Sequence, residues 1–304
     1  MDSNVASFLN YIKHERNFSD YTLKNYKEDL KQYEDFIVAK AGFFDPLSLE
    51  VDYVRAWMAD MAKRGLKVTT IKRRLCALRS FYRYLRREKK IDTNMLSVLP
   101  SPKVPKPLPV WVSEQQMDDL LDNTDFGNDF LGKRDRLVID LIYSTGMRRS
   151  EVANLKSSDI DYENRYVRVL GKGNKMRLVP FGEELNTLMR GFTEEKMCLL
   201  GQDTEYFLTD EDGDGLSPVK IAAIAHKYLS SISTLARQTT HVLRHSFATN
   251  MLANGADLMA VKELLGHASL QSTEVYTHLT PKEILENYKQ AHPRSKNDKK
   301  EPLY

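Results

Sequence analysis

The sequence predicts a mainly α chain of two domains, with one small β-hairpin in the second. Three observations predict it. Apolar residues recur at helical spacing in both halves. A proline-rich stretch, Pro100 to Pro109, has proline at five of ten positions and divides the chain. One basic, glycine-containing segment, Gly171-Lys172-Gly173-Asn174-Lys175, lies between two short strand-like runs. The boundaries are therefore 1–99 for the first domain, 100–109 for the linker, 110–291 for the second domain and 292–304 for a polar, charged and frayed tail.

In the first domain, Ser19-Asp20-Tyr21-Thr22 precedes Leu23, Tyr26, Leu30, Tyr33 and Ile37, which share one helix face. Thr69 or Thr70 can cap the next helix. There Ile71, Leu75, Leu78, Tyr82 and Leu85 form the apolar stripe, and Lys72, Arg73, Arg79, Arg83 and Arg86 occupy other faces. The second domain opens with a capping box, Ser113 with Gln116, stapled by Val112 and Met117. A helix near Lys133 to Tyr143 ends at Gly146. Arg165–Val169 and Met176–Pro180 form the hairpin. Helices follow around 218–234, 240–254, 257–265 and 271–276, and Thr280-Pro281-Lys282-Glu283 starts another. The apolar side of that last helix, Ile284, Leu285 and Tyr288, has little of its own domain left to cover.

Charge is unevenly spread. Residues 1–105 carry 20 Lys+Arg against 13 Asp+Glu, a net of +7, and the remainder carries 25 against 29, a net of −4, giving the total of +3. From Lys63 to Lys90 there are twelve basic residues and one acidic residue, Glu88. A merely solvated helix face mixes signs, so this one points to nucleic acid. No apolar run approaches the roughly 18 residues that span a bilayer. No signal peptide opens the chain, and the two cysteines, Cys76 and Cys198, lack metal-ligand spacing. Both suit a reducing cytoplasm and argue against a membrane partner.

Six residues of the second domain carry chemistry: Arg148, Lys172, His241, Arg244, His267 and Tyr276. Cations of this kind can surround a phosphodiester and offset the charge that builds up in phosphoryl transfer. A tyrosine supplies an oxygen nucleophile. Any one of the fifteen tyrosines is by itself far more often packing than chemistry, and a lone histidine ending an apolar helix is usually core. The contexts change that weighting. They are Ser144-Thr145-Gly146-Met147-Arg148-Arg149-Ser150-Glu151, the His241-x-x-Arg244 unit, and Leu264-Leu265-Gly266-His267 with Tyr276 nine residues on. Through them the chain resembles the tyrosine recombinases, and most of all their Xer type, over nearly its whole length.

The resemblance implies a helical core-binding domain and an α+β catalytic domain that close around duplex DNA, with the linker as hinge. It implies that Tyr276 attacks a phosphodiester and forms a 3′-phosphotyrosyl link without metal, ATP or other cofactor. Arg148 and Arg244 would clamp non-bridging oxygens, with Glu151 positioning Arg148. Arg148, at the start of a helix, would gain backbone N–H donors there. His267 would donate to the phosphate, and His241 would either take the tyrosine proton or donate. Lys172 would protonate the leaving 5′ oxygen; Lys175 shares the same tip, and family position favours Lys172. Helices of the first domain would enter the major groove, with Lys72, Arg73, Arg79 and Arg83 as candidate contacts. Four protomers, alike or with a sister recombinase, would assemble on two sites, resolve chromosome dimers and work with a DNA translocase. The helix begun at Pro281 would dock on a neighbouring protomer. Asn250 stands where Xer sequences commonly carry histidine.

Two rivals remain: an integrase or invertase of a mobile element, and a catalytically silent architectural DNA-binding protein. The complete set of six argues against the second. A zinc site at His241 and His245 lacks the glutamate next to the first histidine, where Val242 stands. A calcium loop at Asp210–Gly215 would need a glutamate where Ile221 stands.

Overall fold

A computed structural model describes residues 2–48, 50–93, 95–104, 110–171, 176–232, 235–266, 286 and 288–295. The chain divides into two units, Met1–Pro107 and Leu108–Tyr304. The fold is mainly helical with one small antiparallel sheet, as the apolar spacing requires.

The first unit holds helices α1 (Ser3–His14), α2 (Asp20–Ala41), α3 (Val51–Lys63) and α4 (Val68–Arg87). Ser19 caps α2 by accepting the Thr22 N–H, and Gly42 ends it in the left-handed region. The sequence expectation contains neither α1 nor α3. Both form because Val5, Phe8, Leu9 and Ile12 of α1, and Val54, Trp57 and Met61 of α3, give each short helix one buried face. The cap expected for α4 is corrected. Thr70 and Ile71 N–H both reach the Lys67 carbonyl, at 2.8 and 3.2 Å, so the first turn closes before either threonine can cap. Lys67 caps with no side-chain bond. The α4 stripe then fills the centre of the unit, where Leu75, Leu78, Phe81 and Leu85 are fully buried.

The second unit begins with α5 (Glu114–Asn123), whose capping box is complete, and α6 (Phe130–Thr145). Helix α6 is buried on nearly every side from Leu137 to Thr145, so it is the central element. A short α7 (Arg149–Ala153) leads to strands β1 (Ile160–Asp161), β2 (Tyr166–Leu170) and β3 (Met176–Pro180), in that order across the sheet. Helices α8 (Glu183–Leu200), α9 (Pro218–Leu229), α10 (Thr240–Ala253) and α11 (Leu258–Leu265) complete it. Strand β1 and helix α8 are additions to the sequence expectation, and α9 ends at Leu229, five residues before the expected end. Asp210 forms an acidic surface turn, accepting from Lys220 at 2.7 Å and from the Asp214 N–H at 3.0 Å. Asn250 is structural: it donates to the Tyr143 hydroxyl at 3.0 Å inside the core.

The tail boundary is corrected too. Residues 288–291 are helical, and Tyr288, Ala291, His292, Arg294 and Ser295 are buried. Tyr288 packs with Phe247, Met251, Val261 and Leu264 of its own unit and donates to the Ser144 carbonyl at 3.0 Å. Arg294 reaches Asp118, Asp122 and Glu184. Thus Tyr288 does not present an interfacial face, and 292–295 is not a frayed tail. An arginine with three carboxylate partners and a buried tyrosine outweigh the polar composition that suggested otherwise. Ile284 and Leu285, the helix expected at 271–276 and the start of the one expected from Thr280 lie outside the described residues.

Candidate functional site

The site is built where α6 ends. Gly146 has φ 63°, and a Cβ there would stand 2.5 Å from Phe247 and 2.9 Å from Leu265, so only glycine fits. The chain turns through it to Arg148, the residue before α7. Glu151, one turn on, reaches back to the Arg148 backbone N–H at 2.7 Å and to its guanidinium at 2.8 Å. The Arg148 N–H is thus spent on Glu151 and is not offered outward.

A residue absent from the sequence candidates joins here. Arg177 of β3 grips both Glu151 oxygens, at 3.0 and 2.8 Å, and donates through Nε to the Leu264 carbonyl at 2.8 Å. The assembled sheet, not a motif, marks it. On β3, Arg177 lies two residues before the buried Val179 and pairs across the sheet with the buried Val169. It is a charge on the apolar face of a strand, which needs a partner inside.

Arg244 of α10 is buried and donates to the Gly146 and Leu265 carbonyls. Arg148 donates to the Gly266 carbonyl at 3.0 Å. The last carbonyls of α6 and α11 thus hold three guanidinium groups in place, two of which share Glu151 as their carboxylate among the described residues. Helix C-termini favour cations, and among the described residues the cluster carries more positive than negative charge, which suits an anion.

The titration behaviour follows from this packing. Burial first, then the Arg148 charge, pushes Arg244 down to about 10, which leaves it protonated at neutral pH. Burial alone would raise Glu151, but the hydrogen bond from Arg177 and the bonds and charges of its other arginine contacts hold it below the usual carboxylate range. His241 is lowered first by lost hydration and then by the Arg149, Arg244 and Arg148 charges. Its imidazole is therefore biased toward the neutral form. In an NMR titration its midpoint should lie below 6.5 and move upward in Arg149→Ala. An unmoved midpoint would remove Arg149 from its surroundings.

The structure thus brings Arg148, Glu151, His241 and Arg244 together and adds Arg177. Lys172, Lys175, His267 and Tyr276 lie outside the described residues.

In the first unit, the candidates on α4 divide. Lys72 and Arg83 are exposed, as is Arg86, and none of the three has an ion pair among the described residues. Arg73 is committed to the buried carboxylate of Asp29, which Arg74 also approaches, at 3.6 Å. Arg79 donates to the Leu96 carbonyl at 3.3 Å, to the Leu99 carbonyl and to Ser101. Periodicity told which residues leave the core but not which of them the unit uses itself.

Comparison with known proteins agrees with this architecture. The phage integrase family matches residues 110–283, and the phage integrase N-terminal SAM-like domain matches residues 5–89. The tyrosine recombinase XerC of Pelotomaculum thermopropionicum is 37% identical over 96% of this chain and 98% of its own. That of Oceanobacillus iheyensis is 35% identical over 97% of each. Among solved structures, the fold is similar to XerH site-specific recombinase bound to palindromic difH substrate, a post-cleavage complex, with TM-score 0.67 and 23% identity over 94% of this chain and 84% of that one. It is similar also to the Tn1549 transposon integrase in complex with transposon right end DNA, with TM-score 0.66 and 20% identity over 93% of this chain and 97% of that one. With its site arginines on the shared fold and relatives matching over nearly its full length, the chain belongs to the phage integrase family, as one of its tyrosine site-specific recombinases.

Proposed function

We propose that the chain cleaves and rejoins double-stranded DNA through a 3′-phosphotyrosyl intermediate on Tyr276, and that it serves chromosome dimer resolution at a Xer-type site. The observation that carries the chemistry is the grouping of Arg148 and Arg177, both paired with Glu151, beside Arg244, which the Gly146 and Leu265 carbonyls hold. Such a site favours a phosphodiester in the ground state and more so as negative charge develops. Arg148 and Arg244 clamp the non-bridging oxygens, and Arg177 fixes Glu151, and so Arg148, from behind.

In the proposed step the Tyr276 oxygen attacks phosphorus and the bond to the 5′ oxygen breaks. The phenol proton leaves to a base, and the 5′ oxygen takes a proton from Lys172. The lowered pKa of His241 supports the accepting role for that imidazole. His267 donates to a non-bridging oxygen. The 5′ hydroxyl of a partner strand reverses the step, so bond energy is kept in the covalent link and no cofactor is consumed.

The XerC names of the relatives support the chromosomal role over that of a mobile-element integrase or invertase. The DNA-bound similar structures support duplex DNA as the partner. Four protomers on two sites, a sister recombinase and a DNA translocase complete the reading. Lys72 and Arg83 belong to the DNA-facing surface of the first unit.

A nicked suicide substrate tests the nucleophile. The wild-type protein should become covalently attached to the DNA. Tyr276→Phe, which keeps the ring and removes the oxygen, should bind the substrate and form no adduct. An adduct formed by the Phe variant would overturn the assignment.

A further inference from the structure

A cavity of about 160 Å³ opens on the first unit between α1, α4 and the turn after α1. Its apolar lining is Phe8, Ile12, Phe18 and Tyr84. Its polar lining is Arg16, Ser80, Arg83 and Arg87. Arg87 is occupied, bonding Glu15 at 3.1 Å and lying over the Tyr11 ring at 4.6 Å. Arg16, Ser80 and Arg83 have no hydrogen bond or ion pair from their side chains among the described residues. Asn17, with φ 48°, bends the turn that carries Arg16 past the end of α1. The Arg16 and Phe18 N–H groups tie that turn to the Tyr11 and Ile12 carbonyls, at 3.2 and 3.0 Å.

Two open guanidinium groups and a hydroxyl above an aromatic floor match one chemistry. The cations and the hydroxyl suit a phosphate. The rings suit the apolar face of a sugar or base. The volume admits about one such group and no extended ligand. Arg83 lines the cavity and also continues the exposed row of Lys72 and Arg86 along α4.

We propose that this cavity seats a single sugar-phosphate of a DNA strand, at the edge of the α4 surface. The phosphate lies between Arg16, Arg83 and Ser80, and the sugar lies on Phe18 and Tyr84. The proposal rests on the reading of α4 as a DNA-facing helix. A free nucleotide presents the same chemistry and is the alternative source.

The test is the dependence of affinity on salt, measured by anisotropy with a duplex carrying a Xer-type site. Freeing one DNA phosphate from the protein should lower the slope by about one unit. Ser80→Leu fills the cavity without removing a charge, so a surface effect of charge alone would leave its slope unchanged. The proposal requires that Ser80→Leu and Arg16→Ala each lower the slope by about one unit, with circular dichroism unchanged. Lys72→Ala serves as the reference. If Lys72→Ala lowers the slope and the two cavity variants do not, the cavity lies off the DNA and the proposal fails. If none of the three changes it, the reading of α4 itself fails. Thymidine 5′-monophosphate, titrated alone, separates the sources. Millimolar or tighter binding that Ser80→Leu abolishes, with an unchanged DNA slope, would overturn the strand assignment in favour of a free nucleotide.

Discussion

Glu151→Ala is expected to unfold the second unit at a much lower temperature and to abolish strand cleavage. Glu151 is 6% exposed at its side chain and Arg177 is 11% exposed. Removing the carboxylate leaves Arg148 and Arg177 without the anion they share among the described residues, with the Arg244 charge nearby. Breaking a buried pair from one side costs about 3–5 kcal/mol. At roughly 2–4 °C per kcal/mol for a unit of this size, the melting temperature should fall by about 6–20 °C. The pH dependence has a definite sign. The folded-state pKa of Glu151 is depressed, so its contribution is complete above the unfolded value of about 4.3 and is lost as pH falls through the folded value. The gap between wild type and variant should therefore be widest near neutrality and begin to narrow only as pH falls below that unfolded value. Thermal melts across that range decide it. A melting temperature within about 2 °C of wild type at pH 7 would show that the arginines do not depend on this carboxylate.

Tyr288→Ala should be nearly as damaging, and to the isolated protomer. The ring is fully buried and stacks on His292 at 4.8 Å and 14°. Emptying a site of that size costs about 3–5 kcal/mol. Tyr288→Phe should cost only about 1 kcal/mol, the value of its bond to Ser144. Were the segment seated on a neighbour, Tyr288→Ala would leave the melting of the free protomer unchanged and weaken only assembly on DNA. Differential scanning calorimetry of the free protein separates the two. His292 adds a second pH window. Burial pushes its folded pKa down to about 3, so it stays neutral while the unfolded histidine charges below about 6.5. Stability should thus begin to fall near pH 6.5, before the carboxylates titrate.

The parts of this protein legible in sequence are those where local signals and burial agree. Ser19, Ser113 and Gly146 mark helix ends because each does its local task whatever surrounds it. The apolar stripe of α4 is legible for the same reason. Helices α1, α3 and α8 are not, since their faces acquire meaning only from the partners they cover. Arg148, His241 and Arg244 stand out by their motif context. Arg177 does not, because it acts through Glu151, 26 residues away in sequence, and a lone arginine in a short strand has no periodic signature. Likewise Arg73 and Arg79 match Lys72 and Arg83 in composition. Only the positions of Asp29 and of the Leu96 and Leu99 carbonyls separate them.

The guanidinium groups are moored to main-chain oxygens: those of Gly146, Leu264, Leu265 and Gly266. Every residue owns such an oxygen, so the mooring survives a change of side chain at Leu264 or Leu265 as long as the helix stops in the same place. The arrangement can thus be inherited through extensive drift in the residues that touch it. It is vulnerable instead at the two stops. Gly146 and Gly266 both have left-handed φ, and a side chain at Gly266 would meet the Arg177 guanidinium at 3.3 Å. Mutational scanning of this family's architecture should therefore find tolerance at the leucines and intolerance at the glycines, a pattern set by where helices end.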